Sequence, residues 1–306
     1  MRAPNRPLLS AAVILAGASV FADQQPVLRE TRPFRSSVDL TSITVTVRDK
    51  DGQLVTGLTG EAFQVFEDGE PQDVTQFTRD RVPISLGVLL DTSDSMFGKR
   101  IRDARTAVDR FLFDLLAPDD EFFIMAFNHK PHILTTWTSE PDVVRHALDM
   151  LQPTGATAIY DAVLTALPQI DRRVRERAAL LVLSDGADTA SDATLRQVTS
   201  ALRRSDAFVY AIAIDSPDPQ PINTQVNPTT LRELTSESGG RTLIVKSSED
   251  LVTATADIAQ ELNSQYLLGY VSPHGADGQY HSIRVRISGS GYRVRARTGY
   301  IASRHS

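Results

Sequence analysis

Cysteine is absent from all 306 residues. That excludes disulfides, thiolate metal sites, cysteine nucleophiles and lipoprotein acylation in one step. An excess of basic charge is absent as well: 32 Lys and Arg stand against 38 Asp and Glu, for a net charge of −6 and a pI near 5.5. A general nucleic-acid binder carries a basic footprint, so that class is set aside. No G-x-S-x-G elbow, P-loop or dinucleotide fingerprint occurs, which removes common signatures of hydrolases and nucleotide enzymes. Beyond residue 22 no segment is apolar enough to span a bilayer, which takes about 20 residues. What remains, 41% hydrophobic and 23% charged residues, is ordinary for a soluble globular chain. The length suits one large domain or two smaller ones.

The N-terminus carries an address. Arg2 and Arg6 precede an apolar stretch from Leu8 to Val20, and Val20-Phe21-Ala22 offers a small-x-small cleavage site. This pattern reads as a secretory signal peptide over residues 1–22, because the apolar stretch is shorter than the roughly 17–25 residues of a membrane anchor. Cleavage removes two arginines and no acid, taking the net charge from −6 to −8. The expected location is therefore secreted or periplasmic, in the cell envelope. Residues 23–37, polar with Pro26 and Pro33, read as a linker.

The rest of the chain changes grammar twice. Residues 38–80 hold short alternating runs and tight turns, Asp49-Lys50-Asp51-Gly52 and Glu67-Asp68-Gly69-Glu70-Pro71 among them, which suggests half of an Ig-like sandwich. Residues 81–264 alternate apolar strands with amphipathic helices, the signature of a mostly parallel sheet covered on both faces. Glu121–Asn128 and Pro131–Trp137 are separated by too few residues for a crossover, so one edge strand runs antiparallel. Residues 265–306 return to β-structure. Tyr280–Ile287 and Tyr292–Thr298 are expected to form a hairpin across Ser288-Gly289-Ser290-Gly291. Neither β segment is large enough to bury a stable core alone. They are expected to pack together as one sandwich, with the acidic turn at Glu67 to Glu70 within reach of the basic C-terminal strands.

The chemistry gathers at the ends of strands. Leu86–Ser95, LGVLLDTSDS, is a buried strand ending in Asp91, Ser93 and Ser95, followed by a helical stripe of Ile101, Ala104, Val108, Phe111, Leu112 and Leu115. Ligands in open α/β sheets bind at such carboxyl ends. Carboxylate and hydroxyl side chains are hard oxygen donors, suited to Mg²⁺ or Ca²⁺ rather than to thiolate-seeking metals. Taken alone, Asp and Ser here are also ordinary helix caps.

Asp91-Thr92-Ser93-Asp94-Ser95 resembles the Asp-x-Ser-x-Ser loop of von Willebrand factor A (VWA) domains. Gly155-Ala156-Thr157-Ala158-Ile159-Tyr160-Asp161-Ala162 resembles the threonine loop of that family, and Leu181-Val182-Leu183-Ser184-Asp185-Gly186 its second aspartate loop. The resemblance covers about Val82 to Asn263. The flanks, VTGLTGEAFQVFEDGEPQ before and YLLGYVSP with VRARTGYIA after, resemble the secreted VWFA-related proteins described from Acidobacteria.

The resemblance implies a VWA-type doubly wound α/β fold. Its mostly parallel sheet, with one antiparallel edge strand, is flanked by a small β-sandwich built from the N- and C-terminal segments. It also implies a metal-ion-dependent adhesion site (MIDAS) at Asp91, Ser93, Ser95, Thr157 and Asp185, holding Mg²⁺ (or Ca²⁺ or Mn²⁺). The open position of such a cation takes a carboxylate from a partner macromolecule. The implied activity is adhesion, not catalysis. Asp94 stands where the family often has glycine, adding a carboxylate beside the serines.

Two rivals stay open: a structural envelope module with a stabilising metal, and a metal-dependent hydrolase. His129 and His132, flanking a hairpin turn, read as surface residues, with a metal role as the alternative. Arg284, Arg286, Arg293, Arg295 and Arg297 alternate with apolar residues and no acid occurs from His281 onward. They are expected to share one sheet face, either solvated or facing an anionic envelope polymer.

Overall fold

The computed structural model describes residues 40–215 and 228–302. The signal-peptide and linker readings lie outside those residues, as does most of the proline-rich loop after Ile214. Among the described residues no helix is long and apolar enough to cross a membrane.

The described residues open with four strands, β1 (Leu40–Arg48), β2 (Phe63–Glu67), β3 (Glu70–Gln72) and β4 (Val74–Thr78). An alternating region follows with β5 (Ile84–Asp91), α1 (Lys99–Arg110), β6 (Glu121–Phe127), β7 (Pro131–Thr138), α2 (Pro141–Asp149) and α3 (Ile159–Ile170). It continues through β8 (Arg177–Ser184), α4 (Leu195–Leu202), β9 (Phe208–Ile214), α5 (Pro228–Ser238), β10 (Thr242–Val245) and α6 (Ser248–Leu262). The end is β11 (Tyr266–Val271), β12 (Tyr280–Ile287), β13 (Arg293–Arg295) and β14 (Gly299–Ile301).

Six strands form the central sheet in the order β10-β9-β8-β5-β6-β7. All pair in parallel except the edge strand β7, which runs antiparallel to β6 as its short connection requires. Every residue of β5, β6, β8 and β9 is buried, which is why they read as unbroken apolar runs rather than alternating ones. One face is covered by Ile101, Ala104 and Val108 of α1, Val144 and Leu148 of α2, and Leu251 and Ile258 of α6. The other is covered by Ile159, Val163 and Ile170 of α3, Val198 and Leu202 of α4, and Leu231 and Leu234 of α5. The stripe after β5 is therefore real, although its last turn, Phe111–Leu115, winds as a π-helix.

The two β segments interleave. One sheet has the order β13-β1-β11-β4 and the other β14-β12-β2-β3, so each contains strands from both ends of the sequence. β1 pairs antiparallel with β11 from Leu40 opposite Val271 to Val45 opposite Tyr266, and β2 pairs with β12 from Phe63 opposite Ile287 to Glu67 opposite Ile283. Between the sheets lie Ile43, Val45, Val47, Phe63, Val65, Tyr266, Leu268, Tyr270 and Ile283. Phe63 packs on Tyr266 with ring centroids 4.9 Å apart.

Two expectations fail here. Tyr280–Ile287 and Tyr292–Thr298 do not form a hairpin. β12 pairs with β2 and β14, β13 pairs with β1, and Ser288 to Gly291 carries the chain from one sheet to the other. For the same reason the five arginines do not share a face. Arg284, Arg286 and Arg293 are exposed, with Arg286 lying over the Phe66 ring. Arg295 instead pairs with the buried Glu261 of α6, and Arg297 donates to the carbonyls of Gly299 and Arg203. Alternation assigns a side to each residue of a strand but not the element that covers that side. The acidic turn does lie against the C-terminal strand β12, as expected: Glu67 pairs opposite Ile283, and Asp68 accepts from Ser282 N at 2.8 Å and contacts His281.

Glu261 joins the sandwich to the central sheet. Its fully buried carboxylate accepts from Tyr210 Oη at 2.8 Å and Thr46 Oγ1 at 3.3 Å. It pairs with Arg48 at 2.9 Å, with Arg241 at 3.1 Å and with Arg295. Burial works to raise its pKa, but Arg295 and Arg241, aided by Arg48 and Tyr210, reverse the direction and hold it below the ordinary glutamate value.

Candidate metal centre

β5 ends at the centre of the sheet, and the three loops of interest meet there. Asp91 is completely buried: Oδ1 accepts from Ser93 N at 2.8 Å and Oδ2 from Ser184 Oγ at 2.6 Å. The first bond closes a local turn of the kind Asp side chains favour, so the loop folds back over the end of the strand. Thr92 donates from both N and Oγ1 to the Phe127 carbonyl at the end of β6, fixing this turn to the neighbouring strand. Ser93 Oγ and Ser95 Oγ then stand 3.1 Å apart.

The second loop is clipped to the first by backbone. Asp94 N donates to Gly155 O and Thr154 N to Thr92 O, each at 2.8 Å. Gly155 has φ of +79°, a conformation that disfavours side chains, and a Cβ added there would meet His129 Nδ1 at 3.1 Å. Thr157, buried, follows directly. Its carbonyl accepts from Thr189 N and Ala190 N, while Thr189 Oγ1 accepts from Thr157 N at 3.0 Å. The third loop is thereby tied to the second. At its head Asp185 is buried, and Gly186 turns with φ of +98°, its N donating to Ser184 Oγ.

The electrostatics are unfavourable for protein groups alone. Burial, and then the charge of Asp185, push the Asp91 carboxyl up to about 7, against hydrogen bonds from Ser184 and Ser93. Burial also raises Asp185, opposed by a hydrogen bond from Ser95 and by Arg100. Two carboxylates withdrawn from water and repelling each other are what a divalent cation relieves. The serine and threonine hydroxyls add donors without adding charge, so the donor chemistry fits Mg²⁺, Ca²⁺ or Mn²⁺.

Asp91, Ser93, Ser95 and Asp185 are thus joined by hydrogen bonds or by charge, and Thr157 sits on the loop clipped to both neighbours. Around them, Asp94 is exposed and Phe97 is 63% exposed. Asp188 takes the N–H of Tyr160 at the start of α3, a capping role, and Asp192 donates its N–H to Asp161. His129 and His132 are exposed.

One residue was not singled out from sequence. Arg100, buried in the first turn of α1, donates from Nη1 to Ser95 O at 2.9 Å and to Asp185 Oδ2 at 3.2 Å. A signal existed: Arg100 lies four residues before Ala104 and so extends the buried stripe of α1, where an arginine requires a partner.

Comparison with known proteins agrees with the fold around this centre. Residues 86–187 match the family model of the von Willebrand factor type A domain. Over 198 residues the chain is 23% identical to human inter-alpha-trypsin inhibitor heavy chain H4, a match covering 61% of this chain and 21% of that protein. The chain thus spans about a fifth of the length of this curated relative. A von Willebrand factor type A protein from Catenulispora acidiphila shares the fold with a TM-score of 0.53 at 12% identity, over 88% of this chain and 75% of that one. Proximal thread matrix protein 1 of the mussel byssus, solved with zinc in its MIDAS motif, gives 0.51 at 17% identity, over 64% and 49%.

Proposed function

We propose that this chain, a protein with a von Willebrand factor type A domain, is a metal-dependent binding module of the cell envelope or the secreted space. Asp91, Ser93, Ser95, Thr157 and Asp185 hold a divalent cation, Mg²⁺ in the first place and Ca²⁺ or Mn²⁺ as alternatives. The cation supplies an open coordination position for a carboxylate of a partner protein. The observation that carries this reading is the conflict between Asp91 and Asp185, buried at the junction of three interlocked loops. The ligand set is rich in neutral hydroxyls, which leaves the ion under-neutralised and receptive to an external anion. Exposed Phe97, beside the serine loop, offers an apolar contact next to that carboxylate. The signal-peptide reading of residues 1–22 supports the location.

Calorimetry of the mature chain with Mg²⁺ is the first test, with one site expected and its loss in Asp91→Ala. Capture of partners from envelope extract in Mg²⁺ and in EDTA then separates a binder from a structural module. The binder releases its partner in EDTA while residues 40–302 keep their circular dichroism. A module whose metal only stabilises the loops shows no partner in either buffer.

A further inference from the structure

Far from the three loops in sequence, the sandwich gathers a second set of metal-ligating groups. Glu67 ends β2, His281 lies on the adjacent strand β12, and His274 lies on the loop after β11. One ligand atom from each lies within 4.8 Å of the others. Glu67 is only 1% exposed. Its Oε1 accepts from Tyr300 Oη at 2.7 Å and Ser272 Oγ at 3.0 Å, whereas Oε2 is buried with no partner of normal hydrogen-bond geometry. The Tyr270 hydroxyl, buried in the same way, lies against that carboxylate as a further donor. A carboxylate buried this deeply gains from a cation placed against it.

The imidazoles are arranged for one. The rings of His274 and His281 stack with centroids 4.0 Å apart and planes 17° apart. His281 Nδ1 and His274 Nε2 converge on a single oxygen, Asp68 Oδ2, at 2.8 and 3.5 Å. Asp68 is the one non-glycine residue among those described with positive φ, +50°, and this backbone setting turns its carboxylate towards the rings. The remaining nitrogen of His281 faces Asp277 Oδ1 at 3.2 Å. A carboxylate on the far nitrogen of a ligating histidine is the usual outer support of a metal site.

We propose that Glu67, His274 and His281, with Asp68 as the fourth ligand, form a second metal site on the sandwich, selective for a borderline ion such as Zn²⁺. Two imidazoles and carboxylate oxygens are a tetrahedral zinc donor set, whereas the all-oxygen centre at Asp91 suits harder ions. With Zn–N and Zn–O near 2.0–2.1 Å, tetrahedral ligand atoms stand roughly 3.4 Å apart. A small rotation of the side chains reaches that spacing from the present one. Binding releases whatever proton the histidines share with Asp68. The ion would tie β2, β12 and the loop after β11 together, crosslinking the two ends of the sequence.

The test uses the full chain carrying Asp91→Ala, so that zinc at the first centre does not confuse the count. In excess Mg²⁺, titration with Co²⁺ as a spectroscopic probe should show one equivalent, with the intense visible bands of a tetrahedral site, displaced by Zn²⁺. His274→Ala, a change at the partly exposed rim, should weaken binding at least tenfold and remove the bands while leaving circular dichroism unchanged. His129→Ala with His132→Ala should change nothing. Absence of a stoichiometric Co²⁺ or Zn²⁺ site in the Asp91→Ala chain overturns the proposal. So does equal binding by the His274→Ala chain. Either result leaves the reading of the Asp91 centre untouched, because that centre is judged by Mg²⁺ binding of the unmodified chain.

Discussion

At the scale of single residues, Asp91 and Arg100 set the metal-free state of the three-loop centre. The Asp91 carboxyl stands near 7 when folded, above its ordinary value of 3.8. The unfolded chain releases that proton earlier, so between about pH 4 and pH 7 the folded state binds more protons and its stability falls as pH rises. The full effect is on the order of 4 kcal/mol, since each tenfold change in proton affinity is worth about 1.4 kcal/mol. Thermal melts in EDTA across that window should show the slope, and Asp91→Asn should flatten it. Metal must displace the same proton, so apparent Mg²⁺ affinity should weaken by up to about tenfold per pH unit below 7.

Arg100 acts on the same balance from the other side. Its guanidinium neutralises Asp185 from within the protein and repels an incoming cation. Arg100→Met should cost the metal-free protein about 3–5 kcal/mol, the usual penalty for orphaning a buried charge. The same variant should gain more than the parent in melting temperature when Mg²⁺ is added. Equal gains in both proteins would show that Arg100 has no electrostatic hold on the centre.

At the scale of elements, what could be read in the sequence followed from local chemistry. The unbroken apolar strands β5, β6, β8 and β9 announced a sheet covered on both faces, and the short connection after Phe127 announced the antiparallel edge. The DTSDS turn announced a cluster of side-chain oxygens, and Asp91, Ser93 and Ser95 do close into one hydrogen-bonded turn at the end of β5. Pairing across long separations was not legible. Nothing in Ser288 to Gly291 distinguishes a hairpin turn from a bridge between sheets, and Arg100 meets a partner 85 positions away. The clip between the serine and threonine loops is equally silent, being backbone to backbone. Gly155→Ala tests it: the new Cβ meets His129 at a positive φ, so about 1 kcal/mol of stability should be lost in chemical denaturation. Mg²⁺ affinity should fall with it, since Asp94 N and Thr157 take their positions from this turn.

At the scale of the whole molecule, one buried carboxylate gathers partners from both the sandwich and the central sheet. Glu261 on α6 receives Arg48 from β1, Arg295 from β13 and Arg241 from the entry to β10, with Tyr210 of β9 below. Strands of the sandwich and the central sheet therefore share a buried ion network, and neither can shift without exposing it. Glu261→Gln keeps the shape and removes the charge, leaving Arg295 facing a neutral amide while Arg48 and Arg241 keep Asp257. A loss of about 3–5 kcal/mol is expected. The network also carries a pH signature. Because Glu261 is held below its ordinary value, its contribution is present above pH 4.5 and disappears as pH falls through the folded pKa. The parent chain should therefore show a steep loss of stability on acidification, and Glu261→Gln a shallower one. Calorimetric melting distinguishes the role of the network from simple packing. In the parent, sandwich and central sheet should melt in one transition; in Glu261→Gln the sandwich should melt first, while Mg²⁺ still shifts the second transition. A single transition in the variant, merely lowered, would mean that the remaining contacts, among them Arg48 with Asp257 and Arg297 with the Arg203 carbonyl, suffice to couple the two.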